Sequence, residues 1–492
     1  MVIGRPYNCL RRPNCNPCSL RFSSSYSNER LPSIAPKPNI DTKHIRQNPE
    51  LYAKNAALRR YNSVEENPVK IVRLFDEWKE LQAKAKSLRQ RNKAIRTNLS
   101  LAKNLGGREG DGETQESKKR ESLLHEARSL SQHVDEIERD EASLTKQIQS
   151  LALDLPNLTS PETPVSGEPQ VVGFINESAP KPMSSEERDH VYLGTIYDLI
   201  DFTSAATATG WGWYYLKNEG ALLELALVQF ALQIASQHGF QIVSPPSLVY
   251  SHVGSACGYK PRDQSNVQQI YAISQDKGDK ESGKPGLSLA GTAEIPFAAM
   301  KANTNFHETD LPLRIVGSSR CYRAEAGARG AESKGLYRVH EFTKVEMFGW
   351  TMNNDESVTL FDEMLAIQHE ILSSLGLPCR ILEMPASDLG ASAYRKRDIE
   401  AYFPSRREKN EGWGEVTSTS MCTDYQTRRL STKVRLNGGS LEYPATVNGT
   451  AMAVPRVLAA VLENGWDEGT KVIRIPECLR PWMGKSYIQR KP

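Results

Sequence analysis

Apolar residues recur every three or four positions through two long stretches in the first third of the chain. One stretch covers residues 74–102 and the other 123–151, and the residues between them, 106–112, are rich in glycine. A sustained 3.5-residue spacing on both sides of such a break predicts an antiparallel two-helix coiled coil, each arm roughly 45 Å long at about 1.5 Å per residue. Two polar residues, Asn92 and Glu141, fall in this apolar seam.

The pattern changes after the two helical stretches. Residues 156–182 are rich in Pro, Ser and Thr, which is typical of a linker. Residues 222–238 then show helical apolar spacing, and 240–243 predict a short strand that stops at Pro245 and Pro246. Further on, residues 320–350 predict two short strands joined by a long glycine-rich loop.

This hairpin at 320–350 alternates charged and aromatic residues. Because side chains alternate along a strand, Arg323 and Glu325 are expected to share one face of the first strand. One face of the second strand is expected to carry His340, Phe342, Lys344 and Glu346. An arginine can hold a phosphate or carboxylate bidentately, and an aromatic face can stack a purine, so the hairpin suits a small polyanion. The alternative is a solvated hairpin whose charges face water.

Length and composition limit the classes of protein to consider. A chain of 492 residues is long enough for two or three domains. The formal net charge is only +3, so a nucleic-acid surface would have to come from local clusters of Lys and Arg. We expect no later segment to be apolar for long enough to span a bilayer, which predicts a soluble protein without membrane contact.

The N-terminal residues have the composition of a targeting segment. Residues 1–28 contain four arginines and five serines but no acidic residue, which predicts a transit peptide over about 1–30. A disordered basic tail is the alternative. The close cysteine pair, Cys15 and Cys18, lies in this segment without a second pair or a histidine partner, so no zinc site is expected.

The two predicted helices of the arm differ in charge. Residues 79–108 contain nine Lys or Arg and one acid, Glu80, whereas the return helix is rich in acids. The helices should therefore attract each other, while the region near the tip keeps a basic excess that suits a phosphate backbone. An ordinary solvated coiled-coil surface would have the same composition.

Several short motifs follow one another along the second half of the chain. GTAE at 291–294 is followed by RAEAG at 323–327 and VHEFTKVEM at 339–347, then by EVTSTS at 415–420 and NGTAMAVPR at 448–456. In this order they resemble the motifs of bacterial-type seryl-tRNA synthetases, which are class II aminoacyl-tRNA ligases, and RAEAG with VHEFTKVEM resembles the second signature motif of that family. The resemblance extends from about Asn39 to Ile488, and several ordered motifs are far more specific than any one alone.

The resemblance implies an α+β fold, in which an antiparallel class II sheet is flanked by helices and preceded by a two-helix coiled-coil arm. The implied domains are a tRNA-binding arm domain at 39–155, a linker at 156–185 and a catalytic domain at 186–488. The helix at 222–238 and the strand after it would form the first motif of the family, which builds a homodimer interface.

The family's reaction has two steps and needs ATP with Mg²⁺. The carboxylate of L-serine attacks the α-phosphorus of ATP to give seryl-adenylate, and a ribose hydroxyl of tRNA(Ser) then attacks the seryl carbonyl. Positioning and charge stabilisation carry both steps, so no enzyme nucleophile is needed. Together with the predicted transit peptide, the resemblance implies a function in mitochondrial translation, in the matrix.

Matching the family's motifs assigns a role to each candidate site residue. Three residues are expected to be catalytic: Arg323, Glu346 and Arg456. Serine is expected to contact Thr292, Ala293, Glu294, Arg323, Glu346, Asn448 and Thr450. ATP is expected to contact Arg323, Ala324, Glu325, Val339, Phe342, Glu415, Val416, Thr417, Ser418 and Arg456. Mg²⁺ is expected on Glu415 and Ser418, and tRNA on Arg89, Arg91, Lys93, Arg96, Lys103, Arg108, Lys118, Lys119 and Arg120.

Two positions depart from the family's pattern. Ala324 replaces a common serine, and Pro455 replaces the glycine that usually precedes the arginine. Proline at this point is tolerated if a helix begins there, and would otherwise displace Arg456. There are two alternative functions: a catalytically silent RNA-binding or scaffold protein, and a ligase that loads an amino acid onto a carrier protein. The two heptad arms argue against the second, and the first is disfavoured by four intact residues: Arg323, Glu346, Glu415 and Arg456.

Overall fold

The computed structural model describes residues 35–105, 115–165, 167–176, 188–259, 269–325, 335–406 and 410–491, without the side chains of 101–105 and 115–119. The predicted transit peptide, its cysteine pair and the glycine-rich tip at 106–112 lie outside these residues.

In chain order the α-helices are α1 Thr42–Gln47, α2 Pro49–Leu58, α3 Asn67–Leu105, α4 Gln115–Leu153, α5 His190–Ile196, α6 Phe202–Thr209, α7 Asn218–Gln237, α8 Ser251–Ala256, α9 Lys277–Glu281, α10 Glu294–Met300, α11 Asn354–Ser374, α12 Tyr425–Leu430, α13 Val454–Gly465 and α14 Arg480–Met483.

The strands form one large sheet and several small ones. In chain order they are β1 Gln170–Ile175, β2 Ile200–Asp201, β3 Tyr215–Leu216, β4 Gln241–Ile242, β5 Leu248–Tyr250, β6 Leu287–Leu289, β7 Asn305–His307, β8 Leu313–Tyr322, β9 Glu341–Thr351, β10 Cys379–Glu383, β11 Arg395–Tyr402, β12 Trp413–Thr423, β13 Lys433–Arg435, β14 Leu441–Glu442, β15 Ala445–Ala453, β16 Trp466–Asp467, β17 Val472–Arg474 and β18 Tyr487–Gln489.

The large sheet has the order β1-β10-β11-β12-β15-β9-β8-β4. Every neighbouring pair in it is antiparallel except β4 and β8. Helices α7, α11 and α13 pack against it, and their apolar residues join those of the strands in one buried cluster that includes Leu227, Met347, Met364 and Leu458. The predicted α+β architecture, an antiparallel sheet flanked by helices, is therefore confirmed.

Helices α3 and α4 pack side by side and form the arm. Each has 39 residues, which is about 58 Å of helix at 1.5 Å per residue. The predicted 45 Å was too short because α3 begins before its seam, at Asn67, and α4 begins before its seam, at Gln115. At the base of the arm, Ile71, Ile148 and Ala152 are buried together. Nearer the tip, Ile95, Ala127 and Leu130 form a second apolar cluster.

The two polar seam positions of the arm differ. The Glu141 carboxylate accepts a hydrogen bond from Gln82 Nε2 at 2.7 Å across the two helices, so α4 buries a carboxylate against a donor on α3. In the described part of the chain, Asn92 Oδ1 and the other Glu141 oxygen, Oε1, are buried without a hydrogen-bond partner. The predicted attraction between the helices is present as ion pairs of Arg89 with Glu138 and Arg91 with Glu126.

The prediction that no later segment is apolar for long enough to span a bilayer was wrong. Helix α7 has 20 residues, and an 18-residue window within it has a mean hydropathy of 1.2, so by length and composition it could cross a membrane. Its inner face, including Leu223 and Phe230, is buried in the main core, which is the usual place of such a helix in a folded domain. Its outer face exposes Leu222 and Leu225.

The arm and the sheet domain meet at a buried arginine. Arg59, fully buried just after α2, donates hydrogen bonds to the carbonyl oxygens of Asn157 and Gly390. Burial lowers the pKa of Arg59 to about 10. The Asn157 amide in turn donates to the carbonyls of Ser392 and Cys422, each at 2.9 Å. Backbone acceptors on both sides of the junction therefore fix how the arm joins the sheet domain.

Candidate active site

A cavity opens on one face of the large sheet, between the strands β9, β12 and β15 and the start of α13. Most residues assigned to ATP lie in it, although they come from four separate parts of the chain. Its lining comprises Arg323, Glu325, Tyr337, Arg338, Val339, Phe342, Lys344, Glu415, Val416, Thr417, Ser418, Thr450, Ala453, Pro455 and Arg456. Ala324 is half-buried and its N–H donates to the carbonyl of Gln269 at 3.0 Å.

Arg323 and Glu325 reach the cavity by a different route from the one predicted. Strand β8 ends at Tyr322, so neither residue lies in a strand, and Glu325 has a left-handed backbone with φ 42°. Arg323 is held by its N–H, which donates to the His340 carbonyl at 2.9 Å, and by its Nε, which donates to the Gly291 carbonyl at 3.4 Å. Its guanidinium carbon lies 5.3 Å from the centroid of the Phe342 ring.

Strand β9 confirms most of the predicted alternation. Phe342 and Lys344 line the cavity, and Glu346 follows on the same face. His340 was wrongly placed with them, because β9 begins one residue later. Its ring instead lies among aromatic residues, 5.8 Å from Trp211 and 5.9 Å from Trp213 between centroids.

A buried ion pair lies at the inner end of this face. Lys344 Nζ is 2.6 Å from Glu346 Oε2, and the side chains are only 8% and 1% exposed. The Thr450 hydroxyl donates to the same carboxylate at 3.2 Å. The sequence pattern put Lys344 on this face, but we assigned it no role, although the alternation with Glu346 could have indicated a pair.

Glu294 lies at the start of α10, close to this pair. Its two oxygens accept hydrogen bonds from Gln426 Nε2 at 2.6 Å and from Asn448 Nδ2 at 3.2 Å. Burial and the nearby Glu346 carboxylate raise the pKa of Glu294 to about 7, although Lys344, Gln426 and Arg323 act in the opposite direction. Thr292 and Ala293 are buried just before it, so the residues assigned to serine converge beside the cavity.

Arg456 and Glu415 form a second charged pair, on the opposite wall. Arg456 Nη1 lies 3.1 Å from Glu415 Oε2, and its Nε donates to the Tyr337 carbonyl at 3.1 Å. Burial opposes ionisation of Glu415, but the positive charges of Arg456, Lys396 and Arg323 outweigh it and hold the pKa of its carboxyl well below the usual range. The ring of Tyr337, which sequence reasoning missed, lies 4.7 Å from the Arg456 guanidinium.

Pro455 does not displace Arg456. Helix α13 begins at Val454, so the proline occupies its first turn, where a missing N–H and a fixed φ do no harm. A helix does begin at this point, which is the condition under which the proline is tolerated, and Arg456 lines the cavity.

The oxygen atoms of Glu415 and Ser418 are suitable ligands for a hard divalent cation such as Mg²⁺. A buried carboxylate stands beside them, because Asp398 on β11 pairs in register with Ser418 on β12. Asp398 Oδ2 lies 2.7 Å from Lys396 Nζ, while Oδ1 is buried without a hydrogen-bond partner in the part of the chain that the structure describes. The donor set therefore fits such an ion.

The described residues assigned to tRNA lie on the arm helices and are not among the cavity-lining residues. Lys93, Arg96 and Arg120 are exposed, whereas Arg89 and Arg91 are exposed but paired with acids. Arg108 and the side chains of Lys103, Lys118 and Lys119 lie outside the described parts of the structure, as does the loop at 326–334 between the two motif segments.

Two family models match the chain. The class II core domain of tRNA synthetases for G, H, P, S and T matches residues 276–465, and the seryl-tRNA synthetase N-terminal domain matches residues 40–159. The predicted family and fold agree with these matches.

Curated relatives and a solved structure give the same result. The mitochondrial serine–tRNA ligase of Saccharomyces cerevisiae is 44% identical over 351 residues, or 70% of this chain and 75% of the relative. The serine–tRNA ligase of Rhodopirellula baltica is 38% identical over 92% of this chain and 99% of the relative. The crystal structure of seryl-tRNA synthetase from Pyrococcus horikoshii complexed with ATP has a TM-score of 0.80 at 30% identity, covering 92% of this chain and all of that one. The chain therefore belongs to the seryl-tRNA synthetase family of class II aminoacyl-tRNA ligases.

Proposed function

We propose that this protein ligates L-serine to tRNA(Ser) through a seryl-adenylate intermediate, in mitochondrial translation. One observation carries the proposal most directly. A single cavity brings a cation-rich wall for a nucleotide, Arg323 and Arg456, next to a buried group that suits a small hydroxylated zwitterion, Glu294, Glu346 and Thr450.

The ATP side of the cavity supplies charge and a stacking surface. Phe342 would stack the adenine, Glu325 would accept from its amino group, and the backbone of Ala324 and Val339 would contact the base. Arg323 would hold the α-phosphate, and Arg456 the far phosphate. Glu415 and Ser418 would hold Mg²⁺, which supplies positive charge to the polyphosphate when bound, while Val416 and Thr417 shape the strand between them.

The serine side selects by hydrogen bonding and charge. Glu294, with the backbone of Thr292 and Ala293, would receive the serine ammonium, and Asn448 holds the Glu294 carboxylate from the other side. Glu346 and Thr450 would bind the serine hydroxyl. Since Lys344 neutralises Glu346, the pair offers a hydroxyl partner without leaving a bare charge in a buried site.

Both reaction steps depend on how the cavity positions the substrates. A serine carboxylate oxygen forms a bond to the α-phosphorus as the bond to pyrophosphate breaks, and Arg323 stabilises the charge that develops between them. A terminal ribose hydroxyl of tRNA then attacks the seryl carbonyl, and AMP leaves with the electrons of the broken acyl–phosphate bond. No side chain of the enzyme needs to form a covalent bond.

The domain boundaries at 39–155 and 186–488 would separate tRNA binding on the arm from catalysis in the sheet domain. The segment predicted as a linker, 156–185, also contributes β1 to the edge of the large sheet, so it is not only a connector. A homodimer is supported by Leu222 and Leu225, which are 46% and 61% exposed on the outer face of α7. A matrix location is supported by the composition of residues 1–30 and by mitochondrial relatives from yeast and from Mus musculus, the latter 37% identical over 455 residues.

The proposal is tested by charging purified mitochondrial tRNA with each of the twenty amino acids in turn. We expect serine to be attached to tRNA(Ser) and the other nineteen to give background levels. A protein that binds tRNA(Ser) but attaches no amino acid would be the catalytically silent alternative. Activation of an amino acid without its transfer to any tRNA would support the carrier-protein ligase instead.

A further inference from the structure

A carboxylate on α13, the helix that carries Arg456, is buried against an imidazole outside the substrate cavity. His190 Nδ1 lies 2.7 Å from Glu463 Oε1, and their side chains are 5% and 0% exposed. Glu463 also accepts from Ser405 twice, from the backbone N–H at 3.0 Å and from the hydroxyl at 2.6 Å. One carboxylate on α13 thus holds the start of α5 and the turn that follows β11.

The cluster resembles a metal site in composition but not in bonding. Asp189 Oδ1 lies 3.7 Å from His190 Nδ1, so three possible metal ligands meet here. However, His190 Nε2 accepts from the N–H of Leu336 at 3.1 Å, which leaves Nδ1 as the donor to Glu463. Both ring nitrogens are occupied, and Asp189 caps α5 by accepting from the N–H of Val191 at 2.8 Å.

Both partners of Glu463 lead to the same residue of the cavity wall, Tyr337. His190 holds the N–H of Leu336, the neighbour of Tyr337 in the chain, and its ring packs so closely on Gly335 (φ 70°) that a Cβ there would overlap it. Ser405 precedes Arg406, whose guanidinium lies 3.9 Å from the centroid of the Tyr337 ring.

Tyr337 is the residue that holds Arg456. Its carbonyl accepts from Arg456 Nε at 3.1 Å, and its ring lies beneath the same guanidinium. Arg456 and Glu463 are seven residues apart on α13, about two helical turns, so they lie on the same side of that helix. The contacts form a closed path from Arg456 through Tyr337, Leu336, His190 and Glu463 back to the helix that carries Arg456.

We propose that Glu463, acting through His190 and Ser405, is a positioning residue for Arg456. It fixes Tyr337 from two directions, and Tyr337 in turn fixes the direction in which the Arg456 guanidinium points into the nucleotide side of the cavity. This inference rests on the proposed function, since it assigns Arg456 to ATP. It predicts a defect in ATP binding from a side chain that does not touch the substrate cavity.

The main test is the substitution Glu463→Gln, which keeps the size of the side chain. An amide offers one acceptor oxygen, so the variant loses either the contacts of Oε1, with His190 Nδ1 and the Ser405 hydroxyl, or the contact of Oε2 with the Ser405 N–H. We expect KM for ATP in serine-dependent ATP–pyrophosphate exchange to rise about tenfold, while KM for serine changes less than about twofold, because Arg456 lies on the ATP side only.

A buried carboxylate elsewhere in the sheet provides a matched control. Glu383 is 3% exposed and accepts from Arg395 at 2.9 Å and Arg397 at 2.7 Å, and both arginines lie over the ring of Phe361 on α11. Glu383→Gln should lower the melting temperature as Glu463→Gln does. It should leave KM for ATP unchanged, since these contacts do not lead to Tyr337.

Two substitutions of His190 distinguish the effect of its hydrogen bond to Leu336 from that of its hydrogen bond to Glu463. His190→Gln can place an oxygen near the position of Nε2 and so keep the contact with the N–H of Leu336, whereas His190→Asn is too short to reach it. We expect His190→Gln to retain ATP affinity closer to that of the wild-type enzyme than His190→Asn does. Both variants are compared at equal folded fraction, measured by their near-ultraviolet circular dichroism.

The outcomes separate this inference from the proposed function. Absence of serine-dependent exchange in the wild-type protein would overturn the function itself. Normal exchange in the wild-type protein, with equal effects of Glu463→Gln and Glu383→Gln on KM for ATP, would overturn only the positioning role. A rise in KM for ATP confined to Glu463→Gln and His190→Asn would support it.

Discussion

The ion pair between Lys344 and Glu346 changes what can be learned by substituting Glu346. Removing the carboxylate would leave Lys344 buried without its partner, which costs about 3–5 kcal/mol in comparable buried pairs and could unfold the protein. Glu346→Gln avoids most of this, because the amide oxygen can still accept from Lys344 or from the serine hydroxyl.

We therefore predict that Glu346→Gln folds but selects serine less well. A site that hydrogen-bonds a substrate hydroxyl rejects an analogue without it by on the order of 10⁴-fold, because buried polar groups are otherwise left unpaired. In the variant, kcat/KM for serine divided by kcat/KM for alanine should be lower than in the wild-type protein by about tenfold or more, measured by ATP–pyrophosphate exchange. An unaltered ratio in a folded variant would contradict the assignment of Glu346 to the hydroxyl.

The raised pKa of Glu294, about 7, predicts how serine binding depends on pH. Below this pKa the carboxyl is protonated and loses its attraction for the serine ammonium, so KM for serine should fall as the pH rises from about 6 to about 8. The measurement is the serine KM at saturating ATP and Mg²⁺ across this range. Glu294→Gln should have a high serine KM that is independent of pH. The same dependence of serine KM on pH in this variant and in the wild-type protein would contradict the prediction.

At the scale of the elements, sequence patterning was most reliable where one periodicity covered many residues. The two arm helices and the helix at 222–238 were all predicted from apolar spacing, and the structure has helices there. The hairpin was harder to predict, because β8 ends at Tyr322 and Glu325 adopts a left-handed backbone, so alternation no longer describes that region. Tyr337 and Glu463 could not be found this way, since their importance comes from contacts between distant parts of the chain.

The arm offers a comparison between paired and unpaired cations. Lys93 and Arg96 are exposed and have no ion pair in the described residues, whereas Arg89 pairs with Glu138 at 2.7 Å. We expect Lys93→Ala with Arg96→Ala to raise KM for tRNA and to make binding less dependent on salt, because each phosphate contact releases counterions. Arg89→Ala should have a smaller effect. Equal effects of the two variants on the salt dependence would contradict this.

At the scale of the whole molecule, the arm and the sheet domain have separate cores and a polar junction at Arg59. The base of the arm is held by Ile71, Leu74 and Ile148, and the contact of Gln82 with Glu141 shows that α3 and α4 are adjacent further out. A hairpin of this kind can be shortened from its tip without disturbing its base.

Shortening the arm should therefore separate the two chemical steps. Replacing residues 79–146 with a short turn should leave serine-dependent ATP–pyrophosphate exchange near the wild-type level, because no cavity-lining residue is removed. Charging of tRNA should fall mainly through a higher KM for tRNA, since the lost contacts are distant from the reacting atoms. A shortened, folded enzyme that charges tRNA with an unchanged KM would show that the arm does not bind it.

If this cavity activates serine with ATP, exchange of pyrophosphate into ATP must depend on both serine and Arg323. ATP–pyrophosphate exchange is measured with serine for the wild-type protein and for Arg323→Ala, with folding checked by thermal unfolding. We expect serine-dependent exchange in the wild-type protein and its near loss in the variant, because Arg323 stabilises the charge that develops at the α-phosphorus. Exchange at the wild-type level in a folded Arg323→Ala variant, or no serine-dependent exchange in the wild-type protein, would contradict it.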